Sequence, residues 1–322
     1  MTVETAEATP RPESQPESRR KALRGHGAML LFAVAVSLSF SLGKRAAAEI
    51  APEALTISRF LVGALVLALV ALPQARAIHA AAPWRYAVIG GLFAGYFVLM
   101  FEALRLTDPV PVAAIFTFTP ILAALFGWLL LRQVTSLRTA AALALGGAGA
   151  LWVVFRGDLG ALIALDLGRG EALFFLGCIL HGAYAPMVRK LNRGEPAAVL
   201  ALGAFVGAIA VTMGWGGGRV LATDWAALPG FVWGVILYLG LVATAGTFLL
   251  LRYAALRLPA GKVMAYGYLV PVFVILWEGL ATGAWVAPPV WLGLLAIAGA
   301  LGIMMAERDP PARQAPARRP GD

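Results

Sequence analysis

Four ionisable side chains stand inside apolar stretches of this sequence: Glu278 in VPVFVILWEGLAT, His181 in FFLGCILHGAYAP, Glu102 in VLMFEALRL and Arg59 in TISRFLVGAL. Such a group in hydrocarbon costs roughly 2.5–3.5 kcal/mol at a helix centre on insertion scales, so it is kept for a purpose. Glu278 follows Pro271 by close to two helical turns and shares its face with Gly267, Val274 and Thr282. Pro271 removes a backbone donor and disturbs the carbonyl of Gly267, which predicts a kink. A carboxylate there suits proton or cation handling; the alternative is a structural pairing with a neighbouring helix. His181 shares a face with Phe174, Gly177, Cys178, Tyr184 and Ala185, and Pro186 disturbs the carbonyl beside it. It suits substrate or proton handling, against the plainer reading of a satisfied interhelical hydrogen bond. Glu102 and Arg59 lie nearer helix ends, where a long side chain reaches the headgroups; Glu102 has Arg105 within pairing reach. Ser37, Ser41, Thr117, Thr244, Thr247, Tyr266, Tyr268 and Trp277 add weaker polar points, and hydroxyls in such helices most often bond backbone or a neighbouring helix.

The elements that must position these groups are long and greasy. The 322 residues are 60% hydrophobic and 13% charged, with a mean hydropathy of +0.81. That is too apolar for a water-soluble globule. Ten runs reach the about 20 residues that a bilayer core requires. They cover 27–46, 54–73, 85–105, 110–131, 138–155, 170–188, 197–215, 229–251, 261–282 and 287–305. The expectation is an all-α polytopic membrane protein of ten spans. Residues 1–25 and 306–322 are basic and Pro-rich, and read as disordered tails. Trp84 and Trp285, near span ends, read as interface anchors. The lone Cys178 supports neither a disulfide framework nor a metal cluster, and no metal or cofactor is expected.

The net charge of +9 does not mark a nucleic-acid binder, because of where it sits. With the N-terminus inside and the spans alternating, nineteen of the twenty-six Lys and Arg fall on the inner side. Without the tails the ratio is ten to seven. Both termini are therefore assigned to the cytoplasm, across the cell (inner) membrane.

The chain also repeats itself. FEALRLTDPVPVAAIFTFTPILAALFGWLLLRQVT, from Phe101, parallels YAALRLPAGKVMAYGYLVPVFVILWEGLATGAWV, from Tyr253. Each has ALRL, a turn, a helix with a central proline (Pro120 or Pro271) and a turn-like end at Gln133 or Ala284. With five spans per half, the second copy enters the membrane from the opposite side. Residues 26–156 and 169–305 then form inverted repeats about an axis in the membrane plane, an architecture of many secondary transporters.

These motifs resemble the EamA-type drug/metabolite transporter superfamily over residues 26–305. Its units carry a yALr phrase, a mid-helix proline, a polar end and a following glycine. Here those are Phe101 to Arg105, Pro120, Leu130 to Gln133 and Gly146-Gly147, then Tyr253 to Arg257, Pro271, and Gly293 with Gly299. Arg59 matches the start of the family's second helix. Gln133 and Ala284 depart from it, standing where the units usually end in Glu. The resemblance implies a secondary transporter, an exporter of a small organic metabolite or drug-like solute, with a cavity lined by spans 1, 3, 4, 6, 8 and 9. It makes Arg59 a structural ion-pair partner rather than a ligand contact. The expected partners are the bilayer, a small-molecule solute and, as one coupling option, protons. No GxxxxGK[ST] motif occurs, so ATP is not the direct energy source. An intramembrane enzyme is the alternative, but there is no HExxH, GxSxG or membrane aspartate pair. A sensor or assembly factor is a third, and would need no cavity.

Overall fold

A computed structural model describes residues 15–77, 82–164, 167–283 and 285–306. Among the described residues every regular element is helical. Lipid cannot satisfy backbone N–H and C=O groups, so an apolar chain must bond them within each segment. Among the described residues, nine stretches are long and apolar enough to cross a bilayer: Arg20–Ala47, Pro52–Gln74, Trp84–Leu106, Pro109–Leu131, Leu137–Val154, Arg169–Leu191, Ala197–Leu221, Gly230–Ala255 and Lys262–Thr282. The shorter apolar helix Val290–Met305 follows, completing the ten, called spans 1 to 10 below.

The first helix starts at Gln15, so the expected tail of 1–25 is helical in its last part. The second tail falls, beyond Ala306, outside the described residues. A short helix, Leu159–Ala164, lies between the halves and had no counterpart in the hydropathy pattern. Trp84 and Trp285 are exposed near span ends.

The halves pack with inverted symmetry. Span 3 packs on spans 6 and 7, and its twin, span 8, packs on spans 1 and 2. Span 4 meets span 6, and its twin, span 9, meets span 1. Spans 2 and 7, 4 and 9, and 5 and 10 pair twin to twin. Gly149 and Gly293 bring spans 5 and 10 into backbone contact; a Cβ on either would lie 2.6 Å from the other's carbonyl oxygen. Close approach through small residues is how helices gain contact where lipid supplies no hydrophobic drive.

Three spans are discontinuous. Span 4 runs as Pro109–Phe116, a tight turn at Thr117 and Phe118, then Thr119–Leu131. Span 9 runs as Ala260–Ala265, a 3₁₀ stretch Tyr266–Leu269, then Val270–Thr282. Pro120 and Pro271 therefore open a new helix, where the missing N–H costs nothing, instead of kinking a continuous one. Twin residues also end these helices in the left-handed conformation, Arg132 (φ 53°) and Gly283 (φ 72°). Span 8 contains a π-helical stretch, Tyr238–Gly246, between two α-helical parts. Span 6, by contrast, runs unbroken through Pro186.

Candidate functional site

Aromatic rings fill the middle of the bundle. His181 of span 6 lies against Tyr96, with ring centroids 4.4 Å apart, and within 6.0 Å of Phe93, Phe116 and Tyr184. Phe93 stacks on Tyr184 at 4.6 Å and touches Phe97, Phe60 and Phe205. Phe40 of span 1 meets Phe116 and Phe174. The cluster joins spans 1, 2, 3, 4, 6 and 7. The expected pair His181 and Tyr184 is thus brought together, both half-buried, and Nδ1 of His181 has no hydrogen-bond partner. The interhelical hydrogen bond expected of the imidazole is replaced by stacking.

Arg59 sits at the edge of this cluster and is 1% exposed, so it does not snorkel. Its Nε donates to Thr244 Oγ1 at 3.0 Å, and its Nη2 donates to Thr244 Oγ1 at 2.8 Å and to the Ala243 carbonyl at 3.3 Å. Phe97 lies under the guanidinium, 3.6 Å from the ring centroid. No carboxylate faces it among the described ion pairs, which corrects the expected structural ion pair. The reason lies in span 8. A π-helical turn breaks the i→i−4 ladder, so Thr244 Oγ1 donates to Leu239 O and the Ala243 carbonyl turns to side chains. Nη1 is left with no partner.

The other expected residues scatter. Glu278 is half-buried four residues before the end of span 9, which stops at Thr282 as the apolar run 261–282 implied. Glu102, also half-buried, accepts from Arg105 at 3.2 Å, the pairing anticipated for it. Trp277 donates to Ser37 Oγ, tying span 9 to span 1. Thr117 is buried and bonds its own backbone at Ala114 O, while Ser41 is buried without a partner. The tyrosine pair divides: Tyr266 Oη meets His26 Nδ1 at 2.9 Å, and Tyr268 packs on Gly146 with its hydroxyl unpartnered. Among the described residues no three His, Cys, Asp or Glu converge as a metal site would require.

Sequence reading missed Phe93, Tyr96 and Phe97, although aromatics spaced about one turn apart in LFAGYFVLMFE were a usable signal. It also missed a buried tie on the side that holds the N-terminus. Arg85 Nη2 donates to Glu195 Oε1 at 2.7 Å, and Arg85 Nη1 donates to Leu191 O. Tyr86 Oη and the Arg193 backbone N–H also donate to this carboxylate. Burial alone would raise the Glu195 carboxyl; the bonds from Arg85 and the backbone outweigh it and hold the group down to about 2. On the opposite side Arg219 donates to the buried Glu53 at 3.1 Å.

The EamA-like transporter family model matches twice, over residues 23–155 and 168–306, so that each half is one copy of the unit. The chain belongs to the EamA-like transporter family. Its apolar helices and its family make it an integral membrane protein. A curated relative from Bacillus subtilis (strain 168), "Uncharacterized transporter YyaM", is 23% identical over 198 residues, 59% of this chain and 63% of that protein. The match thus spans less than two thirds of that relative. A solved crystal structure covers 88% of the chain and 96% of its own, with a TM-score of 0.63 and 20% identity, a likeness of fold.

Proposed function

We propose that this EamA-family protein is a secondary transporter that exports a small organic solute by alternating access. The repeats 26–156 and 169–305 act as the two moving halves, and both termini are cytoplasmic, in the cell (inner) membrane. The observation that carries this reading is the interruption of spans 4, 8 and 9 within the bundle, beside polar groups left without partners. Non-helical backbone at membrane depth is tolerated where it is buried in protein or lines a cavity, and transporters place their sites at such breaks. The half-buried rings of Phe93, Phe116, His181 and Tyr184 would line the solute's path, with Ser41 and Thr117 of spans 1 and 4 nearby in the bundle. Glu278, with no side-chain partner among the described residues, is the carboxylate assigned to proton coupling.

The test is counterflow of a solute panel in vesicles holding the purified full chain, with both orientations separated to read direction. The expected result is saturable exchange above that of empty vesicles, weakened at least tenfold by Tyr184→Ala. A panel spanning cations, neutral compounds and anions that gives no exchange sinks the proposal. Glu278→Gln should abolish the response to a pH gradient; an unchanged response removes the coupling role from Glu278 but leaves transport standing.

A further inference from the structure

Arg59 has more binding capacity than the fold uses. Its side chain brings a permanent cation about 10 Å into span 2, counted at 1.5 Å per residue from Pro52. Three of its donor contacts go to Thr244 and the Ala243 carbonyl, which are dipoles and carry no countercharge. One face is covered by Phe97. Nη1, with two N–H groups, is buried and unpartnered. A buried charge is ordinarily paired, because the alternative is the full cost of its desolvation. A buried guanidinium that only satisfies a structural carboxylate would not need this arrangement, and none of the described ion pairs includes Arg59.

The surroundings say what sort of anion would fit. Phe97, which stacks on the guanidinium, also touches Phe93 at 4.8 Å and Tyr96 at 4.7 Å. Those two rings reach His181 and Tyr184. A charged end and an apolar path are therefore continuous. We propose that Arg59 is the anion-binding residue of the transport site, and that the solute is an organic carboxylate with an apolar or aromatic body. Its carboxylate would pair with Nη1 of Arg59, and its body would lie along Phe93, His181 and Tyr184. This rests on the transport reading given above. In the present conformation the guanidinium is closed off, at 1% exposed, so the anion meets it in another state of the cycle. The joint that opens the way is the π-helical stretch of span 8, which holds both Thr244 and the Ala243 carbonyl. That stretch also carries Gly240, packed on Val62 of the Arg59 helix.

The experiment uses matched acids and amides, which share a body and differ in charge: phenylacetate and phenylacetamide, benzoate and benzamide, octanoate and octanamide. Thermal unfolding of the purified full chain and counterflow in vesicles are read for each pair. At least one acid should raise the melting temperature where its amide does not, and should exchange at least tenfold faster above the empty-vesicle rate. Arg59→Gln should erase that preference and Arg59→Lys should keep part of it. Should the glutamine variant fail to fold, the acid–amide contrast of the wild-type protein decides alone. Equal behaviour of acids and amides in the wild type, or a full acid preference in Arg59→Gln, overturns the inference. If only neutral or cationic solutes bind and move, the anion site falls while transport stands. If no class of solute binds or moves, both fall.

Discussion

Spans 2 and 7 are twins that do opposite things. Each opens on a proline, Pro52 or Pro196, and each carries a glycine eleven residues later, Gly63 or Gly207. Span 7 lies backbone against backbone on span 3: a Cβ on Gly207 would stand 2.2 Å from the Tyr86 carbonyl oxygen. At Gly63, span 2 meets only side chains: a Cβ there would lie 3.0 Å from the Thr244 methyl of span 8 and 3.2 Å from the Phe205 ring. Seven residues after the prolines the twins are Arg59 and Gly203. The inverted repeat thus builds one scaffold twice, closes one copy backbone to backbone at Gly207, and at the matching positions of the other sets a guanidinium and a hydroxyl. Symmetry supplies the frame, and the departures from symmetry supply the chemistry.

The largest break in this comparison comes one residue before the prolines, where Glu195 stands opposite Ala51. Glu195→Ala leaves Arg85 charged and buried, and should cost about 3–5 kcal/mol of stability, whereas the double change Arg85→Met with Glu195→Leu should recover most of it. The tie is also pH-dependent. The Glu195 carboxyl is depressed to about 2 from an ordinary 4.5, so its contribution is fully present above the ordinary value and is lost as pH falls from about 4.5 toward 2. Denaturation followed over that range should show a slope in the wild type that the double variant reduces; equal slopes would deny the tie. Arg219, 63% exposed against Glu53 on the other face, should cost less when replaced by Gln.

Gly207→Ala comes next. Its new methyl would meet backbone, which cannot rotate away, so spans 3 and 7 must part. About 3 kcal/mol is expected, at the top of the range for overpacking. Gly214→Ala, on the same helix with nothing within 4 Å of the new Cβ, is the control and should be as stable as the wild type or more so, by the about 0.5–1 kcal/mol gained on replacing a helical glycine. Thr244→Val follows on the side of Arg59. It keeps the shape but withdraws the acceptor of Nε and Nη2 of Arg59, for a loss of about 1–3 kcal/mol in melting experiments. A variant as stable as the parent would mean that Arg59 is held by its ring stacking instead.

The sequence carried the frame because hydropathy reports contact with lipid, and ten apolar runs with ALRL twice leave few other folds. The twinned ends of spans 4 and 9 were legible for the same reason: Pro120 and Pro271, and the turn-like ends read at Gln133 and at Ala284 (which lies outside the described residues), one residue past the left-handed Arg132 and Gly283, are local chemistry. What escaped was non-local. Arg59 and Thr244 are separated by 185 positions, and the π-helical turn that joins them shifts hydrogen bonds without altering the apolar pattern. Glu278, the sharpest residue on hydropathy, lies one turn before the helix stops at Thr282, the end that the apolar run had given; which side chains face it is not written in that run. The break before Pro271 was placed at Gly267, within the 3₁₀ stretch Tyr266–Leu269, but read as a kink in one helix, because a proline that opens a helix and one that bends it look alike in sequence.

The smallest expected effect sharpens the comparison most. Gly63→Ala adds the same methyl at the twin position of Gly207, but its neighbours are the ends of side chains, Thr244 Cγ2 and the Phe205 ring. These need give only a few tenths of an ångström. Against that strain stands the gain of replacing glycine within a helix, about 0.5–1 kcal/mol. The two nearly cancel, and the melting temperature should stay within the equivalent of about 0.5 kcal/mol of the wild type. A methyl that is costly at Gly207 and nearly silent at Gly63 would show that the second interface is set by side chains that can move. Equal costs at both would mean that spans 2 and 8 are as rigidly joined as spans 3 and 7, and that span 8 could not release Arg59 by shifting its π-helical turn.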